Sequence, residues 1–281
     1  MGYLLGVIGY PAKHSLSPWI HEKFLAMSEL DGVYRAYEIE EDFLSSFLRS
    51  LKAMNVDGFN VTVPYKEKII PFLDKVDDSV KYVGAVNTVV NQNGQWIGYN
   101  TDGIGYIKSL QHEYPSFFET IDNKKILIIG AGGAARGIYY ALASYGFTYI
   151  DIANRTVSRA HTLIENKTDK VVTSLFTLEQ GEELANQYDL IIQTTNMGMT
   201  PNVNSRPISL NKLKDAVIIS DIVYNPMETK FLSSGRKLEA HIHYGHGMLL
   251  FQAAYAFQLW TGLHINPSNM LQELMEKLQE R

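Results

Sequence analysis

Gly130-Ala-Gly-Gly-Ala-Ala135 follows directly on the aliphatic run Ile126–Ile129 and precedes Ile138-Tyr-Tyr-Ala-Leu-Ala-Ser-Tyr145. Strand, glycine-rich turn and helix in that order suit a pyrophosphate. Gly130 permits a tight turn, and Gly132 lets backbone N–H groups approach the phosphates. Ala135 is small enough for close helix–strand packing, and the helix N-terminus favours an anion. The competing reading is a structural turn in some other α/β protein. At the end of the next β-rich run, Thr148–Ala153, a protein built for NAD places Asp or Glu to take the ribose 2′-hydroxyl. Here Asn154-Arg-Thr156 stands instead, with Arg159 one helical turn on, and Asp151 lies inside the run. A guanidinium pairs with a 2′-phosphate and stacks on adenine, so the pattern predicts NADP. Two solvated surface arginines are the alternative.

A second set of reactive side chains precedes this motif. Lys66 closes Gly58-Phe-Asn-Val-Thr-Val-Pro-Tyr-Lys66 and is expected at the start of a helix running through Ile69 and Phe72. A lysine there opposes the helix dipole, which fits either a residue kept for chemistry or a solvated cation. Asn60 and Thr62 share one strand face by period two. Asp102 either caps the helix Ile104–Leu110 or faces Lys66. Ser15 and Ser17 either cap locally, with Pro18 at the first helical position, or offer hydroxyls to a polyhydroxylated ligand. Gln252 is a polar side chain in the apolar helix Gly247–Trp260, where a buried amide needs partners that a ligand could supply. His241, His243 and His246 form H-x-H-x-x-H, but no carboxylate cluster accompanies them, so a plain strand and turn is favoured over a metal site.

The remaining chain must position these groups. It has 281 residues, 46% hydrophobic and 20% charged, enough for a sizeable core in one or two domains. A net charge of −5 points to neither nucleic acid nor an anionic membrane. The chain has no cysteine, which excludes disulfides, a thiol nucleophile and thiolate zinc sites. The apolar start lacks a basic n-region and runs into Pro11 and Lys13, so it reads as a strand and not a signal peptide. Gly6 stands where myristoylation wants Ser or Thr. No apolar run is long enough to span a bilayer, and a cytoplasmic protein is expected.

Strands are expected at Tyr3–Ile8, Val33–Ile39 and from Gly58 to Pro64. Asp42 is expected to cap the helix carrying Phe43, Phe47, Leu48 and Leu51. Asn93-Gly94, between Ala85–Val90 and Gln95–Tyr99, signals a tight hairpin. From Asn123 a βα pattern predicts strands at 125–130, 148–153, 189–194, 217–222 and about 240–244. Asp189–Gly198 and Asp221–Pro226 each read as a strand leading into a loop, and such loops would line a dinucleotide crevice. The segment 111–122 reads as a domain junction. The last helix, from about Ser268, carries Met270, Leu274 and Leu278 in register.

Seven segments together resemble the shikimate dehydrogenases nearly end to end. They are Ser15-Leu-Ser-Pro18, Asn60-Val-Thr-Val-Pro-Tyr-Lys66, Gly84-Ala-Val-Asn-Thr88, Gly98-Tyr-Asn-Thr-Asp-Gly103, Gly130-Ala-Gly-Gly-Ala-Ala135, Asn154-Arg-Thr156 and Gly247-Met-Leu-Leu-Phe-Gln252. The resemblance implies an α/β protein: an N-terminal α/β substrate domain (1–102 and 250–281) and a Rossmann-like NADP-binding domain (103–249), with a deep cleft between them. It implies closure about hinges near 100–115 and 240–250. Lys66 and Asp102 become the catalytic pair, and Ser15, Ser17, Thr62, Asn87, Asp102, Tyr224 and Gln252 the shikimate ligands. Cofactor contacts become Asp78, Gly130, Ala131, Gly132, Gly133, Ala134, Asn154, Arg155, Thr156, Arg159, Ile222 and Gly245. Tyr65 stands where the family often has Phe or His, and His246 where it usually carries an aliphatic residue. The implied reaction is reversible NADPH-dependent reduction of 3-dehydroshikimate to shikimate, in aromatic amino acid biosynthesis, with no metal. A monomer or homodimer working on small molecules is expected. The alternatives are a quinate/shikimate dehydrogenase using NAD and a non-catalytic dinucleotide-binding regulator.

Overall fold

The computed structural model describes residues 2–164 and 170–280. Contacts divide them into two units, 1–102 with 252–267 and 103–251 with 268–281. This differs from the division expected from the sequence, because 268–281 goes with the second unit.

The first unit contains strands β1 (Tyr3–Gly9), β2 (Gly32–Glu38), β3 (Gly58–Val61), β4 (Lys75–Val76), β5 (Thr88–Gln92) and β6 (Gln95–Tyr99). They form one mixed sheet in the order β2-β1-β3-β5-β6-β4. β1 pairs in parallel with β2 and β3, whereas β5 is antiparallel to β3 and β6. The β5–β6 hairpin turns at Asn93 and Gly94, both at positive φ, as a two-residue Asn-Gly loop requires. Helices α1 (Ser17–Met27), α2 (Leu44–Ala53) and α3 (Asp78–Val83) connect the strands. Phe59, Val61, Tyr65, Val89 and Trp96 pack with Leu48 and Leu51 of α2 in one core cluster.

Three local expectations are corrected here. Ser17 does not cap α1: Ile20 N–H bonds to Leu16 O, so the helix begins one residue earlier with Leu16 at the cap. Asp42 lies in a 3-10 turn, Glu41–Phe43, and Phe43 caps α2. Lys66 does not begin an α-helix. Pro64 follows a cis peptide, Lys66 stands on turns, and only the 3-10 segment Ile70–Phe72 follows. Pro71 lacks the N–H that a longer helix would need there. The helix-dipole argument for Lys66 therefore falls away.

The second unit contains β7 (Lys125–Ile129), β8 (Tyr149–Ala153), β9 (Leu175–Phe176), β10 (Leu190–Gln193), β11 (Ile218–Asp221) and β12 (His241–His243). The sheet order is β12-β11-β10-β7-β8-β9, with every pairing parallel. The five strands expected from the βα pattern all form, and only the two-residue β9 was not anticipated. Helices α4 (Asp102–Glu113), α5 (Gly133–Tyr145), α6 (Val157–Ile164), α7 (Leu178–Glu183) and α8 (Lys230–Lys237) follow the chain, then α9 (Gly245–Thr261) and α10 (Leu271–Gln279). α4 begins at the last residue of the first unit, and α9 contains the division at 251/252. Alternate residues of β7 enter opposite core clusters: Ile126 and Ile128 in one, Leu127 and Ile129 in the other. That is why the run is continuously apolar. Strand order reverses between β7 and β10, so the C-terminal ends of these two strands mark the place where such sheets bind ligands.

Among the described residues no helix is long and apolar enough to cross a membrane.

Candidate active site and cofactor cavity

In the first unit, Lys66, Asn87, Thr101, Asp102 and Gln252 form one hydrogen-bonded cluster. Lys66 Nζ lies 2.7 Å from Asp102 Oδ2, with the lysine side chain 31% exposed and the aspartate 16%. Asp102 N–H is held by Asn100 Oδ1 at 3.1 Å. The Asp102 carboxylate is thus engaged by Lys66 and not spent on the start of α4. Asn87 Nδ2 donates to Asp102 Oδ1 at 2.8 Å and to Thr101 Oγ1 at 2.9 Å, with Gln252 Oε1 at 3.4 Å. Its Oδ1 accepts from Thr101 N–H at 2.8 Å. Thr101 Oγ1 also reaches Gln252 Oε1 at 3.3 Å.

An ammonium held beside a carboxylate, partly open to solvent, can donate a proton to an oxyanion and take it back from a hydroxyl. The surrounding donors fix both oxygens of the carboxylate, so the pair is oriented before any ligand arrives.

Ser15 and Ser17 are half-buried, and Ser15 Oγ accepts from Ser17 N–H at 3.2 Å. Local capping is therefore present, and it leaves the Ser15 hydroxyl proton for another acceptor. Burial raises the Tyr34 phenol well above its usual range, and a hydrogen bond with Ser17 pulls the other way. Thr62 follows β3 and is half-buried. Asp78 opens α3 in this unit, pairs with Lys81 at 2.7 Å and is 71% exposed.

In the second unit a cavity of about 360 Å³ opens at the predicted strand ends. Its walls are Ala131 and Gly132 after β7, Asn154, Arg155 and Arg159 after β8, Thr194–Met197 after β10, and Leu178 and Pro207. Gly130 has φ +117°, and a Cβ there would lie 2.6 Å from Thr194 Oγ1, so only glycine fits this turn. A Cβ on Gly132 or Gly133 would meet nothing within 4 Å, so open space stands beside the first N–H groups of α5. Open space at a helix N-terminus and two guanidiniums nearby fit a dinucleotide carrying a 2′-phosphate.

Two buried side chains brace the loops at these strand ends. Gln193 Nε2 donates to Met197 O at 2.9 Å and to Asp221 Oδ1 at 3.3 Å. Asp221 also accepts from Val223 N–H at 2.9 Å and from Thr229 Oγ1 at 2.7 Å. Burial nevertheless dominates and raises the Asp221 carboxyl from 3.8 to about 7. The folded state therefore holds this proton more tightly than the unfolded chain. Its contribution to stability is full below about pH 4 and is lost as pH rises through 7, on the order of 4 kcal/mol in all. Asp221→Asn should remove this slope. The variant's melting temperature should gain on wild type between pH 5 and pH 8, and a pH-independent difference would count against the assignment.

The family description "Shikimate dehydrogenase substrate binding domain" matches residues 7–89, "Shikimate / quinate 5-dehydrogenase" matches 114–226, and "Shikimate 5'-dehydrogenase C-terminal domain" matches 245–275. The chain is 48% identical, over 99% of both sequences, to the shikimate dehydrogenase (NADP(+)) of Oceanobacillus iheyensis. The chain belongs to the shikimate dehydrogenase family. A Listeria monocytogenes shikimate 5-dehydrogenase, solved with shikimate and NAD, superposes with a TM-score of 0.88 at 34% identity, covering 98% of this chain and 96% of that one. A Thermus thermophilus shikimate 5-dehydrogenase, solved with NADP(H) and shikimate, gives 0.84 at 31% identity, covering 98% and 99%.

Within this family frame the placement of the expected residues is uneven. Lys66, Asn87, Asp102 and Gln252 come together in the first unit. Ala131, Gly132, Asn154, Arg155 and Arg159 come together at the cavity, with Gly130, Gly133, Ala134 and Thr156 beside them in the chain. Ile222 and Gly245 meet each other and are not among the lining residues: a Cβ on Gly245 would lie 2.4 Å from Ile222 O. Tyr224 is 40% exposed on the β11–α8 loop. Asp78 stands in the first unit, and nothing in its ion pair with Lys81 explains a cofactor role. Thr194, Thr195, Asn196 and Met197 fall within the 189–198 stretch expected to line a crevice, although none was singled out as a contact. Leu178 and Pro207 were not named, and no signal in the sequence marked them. His243, from the histidine triplet, is buried between Ser109 Oγ at 2.9 Å and Ser220 Oγ at 2.8 Å, and burial lowers it to about 3. Burial also lowers His246. Among the described residues no group of three His, Cys, Asp or Glu is placed to hold a metal.

Proposed function

We propose that this chain is an NADP-dependent shikimate dehydrogenase that interconverts 3-dehydroshikimate and shikimate. The observation that carries the reading is the Lys66–Asp102 pair, set in a buried amide and hydroxyl network in a chain 48% identical to an NADP-dependent member of the family.

NADPH supplies the hydride for the C3 carbonyl when bound. Lys66 gives its proton to the oxygen as negative charge develops there, and in the reverse direction takes it from the hydroxyl. Asp102 orients the ammonium and accepts from the same hydroxyl. Ser15, Ser17, Thr62, Asn87, Tyr224 and Gln252 bind the substrate. At Asn87 the 3.4 Å contact to Gln252 is the longest of the three that Nδ2 makes, and the one substrate most readily replaces. Gly130, Ala131, Gly132, Gly133 and Ala134 hold the pyrophosphate, and Asn154, Arg155, Thr156 and Arg159 hold the adenosine 2′-phosphate. Ile222 and Gly245 serve the nicotinamide end. The enzyme is proposed to work in the cytoplasm as a monomer or homodimer.

Incubating purified protein with 3-dehydroshikimate and NADPH, and identifying the product by mass and chromatography, tests this. Shikimate formed with one NADP per product is the expected result. Cofactor binding with no product would leave the regulator reading standing.

A further inference from the structure

We infer that Asn60 and Thr88 are positioning residues for the Lys66–Asp102 pair, acting through the Asn87 amide. The inference rests on the catalytic reading of Lys66 and Asp102 given above.

The donor and acceptor roles along this path follow from groups that can only accept or only donate, and at Thr88 from the shorter distance. Asn87 O is a carbonyl and can only accept, so the amide end of Asn60 that lies 3.1 Å from it is Nδ2. The other end is then Oδ1, which must accept from the Tyr34 hydroxyl at 2.6 Å. The second Nδ2 hydrogen of Asn60 goes to Thr88 Oγ1 at 3.0 Å. Having accepted there, Thr88 sends its own proton to Asn87 Oδ1 at 3.1 Å, nearer than Thr101 Oγ1 at 3.4 Å. Thr101 N–H, a pure donor, meets the same Oδ1 at 2.8 Å. Both contacts turn the Asn87 Nδ2 toward Asp102 Oδ1. A flipped amide would set N–H against N–H and carbonyl against carboxylate.

Hydrogen bonds therefore run in one direction, from Tyr34 through Asn60, Thr88 and Asn87 to Asp102. The start is secure because burial keeps the Tyr34 phenol protonated. Exposures of 0% for Tyr34, 6% for Asn60, 0% for Thr88 and 3% for Asn87 leave little room for water to replace a lost partner. The placement follows from the sheet: Asn60 of β3 sits opposite Thr88 of β5 in the antiparallel register. Asn87 immediately precedes β5, so the catalytic end is tied to the rigid part of the unit.

Thr88→Val keeps the shape and β-branching and removes the hydroxyl. It should lower kcat about tenfold with NADP KM unchanged, and Thr88→Ser should restore most of the loss. In an Asn87→Ala background, Thr88→Val should have no further effect, because the residue through which it acts is gone. A general weakening of the sheet would instead add to the effect of Asn87→Ala. Should Thr88→Val not fold, Tyr34→Phe removes the first donor of the path together with the hydrogen bond to Ser17, whose loss is read separately in shikimate KM. It should lower kcat about threefold and likewise lose its effect beside Asn87→Ala. Full kcat in the folded single variant, or losses that add, would overturn the inference. Absence of shikimate turnover in wild type, or a fully active Lys66→Ala, would instead overturn the reading on which it rests.

Discussion

Lys66→Ala should lower kcat about a thousandfold while shikimate KM changes by less than about threefold. The ammonium lies 2.7 Å from Asp102 Oδ2, and among the described residues no other lysine is in the hydrogen-bonded cluster around that carboxylate. Its contribution is concentrated where charge develops on the substrate oxygen, so the loss falls on the chemical step and not on binding. Truncation also leaves Asp102 without its counter-charge, with only Asn87 Nδ2 on one oxygen. Steady-state kinetics in both directions, with NADP KM as a check on folding, measures this. A variant with near-normal kcat would remove Lys66 from the mechanism.

The second large effect concerns the cofactor. Replacing Arg155 and Arg159 together by alanine should raise NADP KM about a hundredfold and leave NAD turnover within about twofold. Both side chains border the cavity after β8, where a ribose-binding carboxylate would stand in an NAD protein. Two charge-assisted contacts to a 2′-phosphate account for about 3 kcal/mol, which is that hundredfold. NAD lacks the phosphate and does not gain from them. An equal loss with both cofactors would mean that the arginines support the fold of the loop and do not select the phosphate.

Much of the dinucleotide unit was legible because its signals are local. β7 reads as an unbroken apolar run since both its faces are covered, and Gly130 stands where φ +117° excludes a side chain. Arg155 follows two residues into the β8–α6 loop, and Arg159 lies in the first turn of α6. The Asn93-Gly94 hairpin was equally plain, since the turn type demands those residues.

What failed, or was missed, lies in local breaks beside Lys66 and Ser17 and in pairings distant in the chain. Lys66 was expected at a helix start because the stretch after it carries helical spacing, but Pro71 lacks the N–H that a longer helix would need, and Lys66 stands on turns. Ser17 loses its cap role to Leu16 by a one-residue shift that no local pattern marks. The face shared by Asn60 and Thr62 was visible, yet the pairing of Asn60 with Thr88 comes from strand register, 28 residues apart. Asp221 looked like an ordinary strand-end residue; only its burial shows why its proton is held against the pull of Gln193 and Thr229. The ligand roles expected of Tyr224 and Asn87 came from family resemblance, since their residue types alone point to no particular chemistry, whereas Gln252 also stood out as an amide on an apolar helix.

The central claim is tested most directly by following reduced-nicotinamide absorbance with shikimate or quinate supplied against NADP or NAD, and comparing kcat/KM for the four pairings. Fast reduction with shikimate and NADP, at least about a hundredfold above every other pairing, is the expected result. Comparable turnover of quinate, or a preference for NAD, would contradict it.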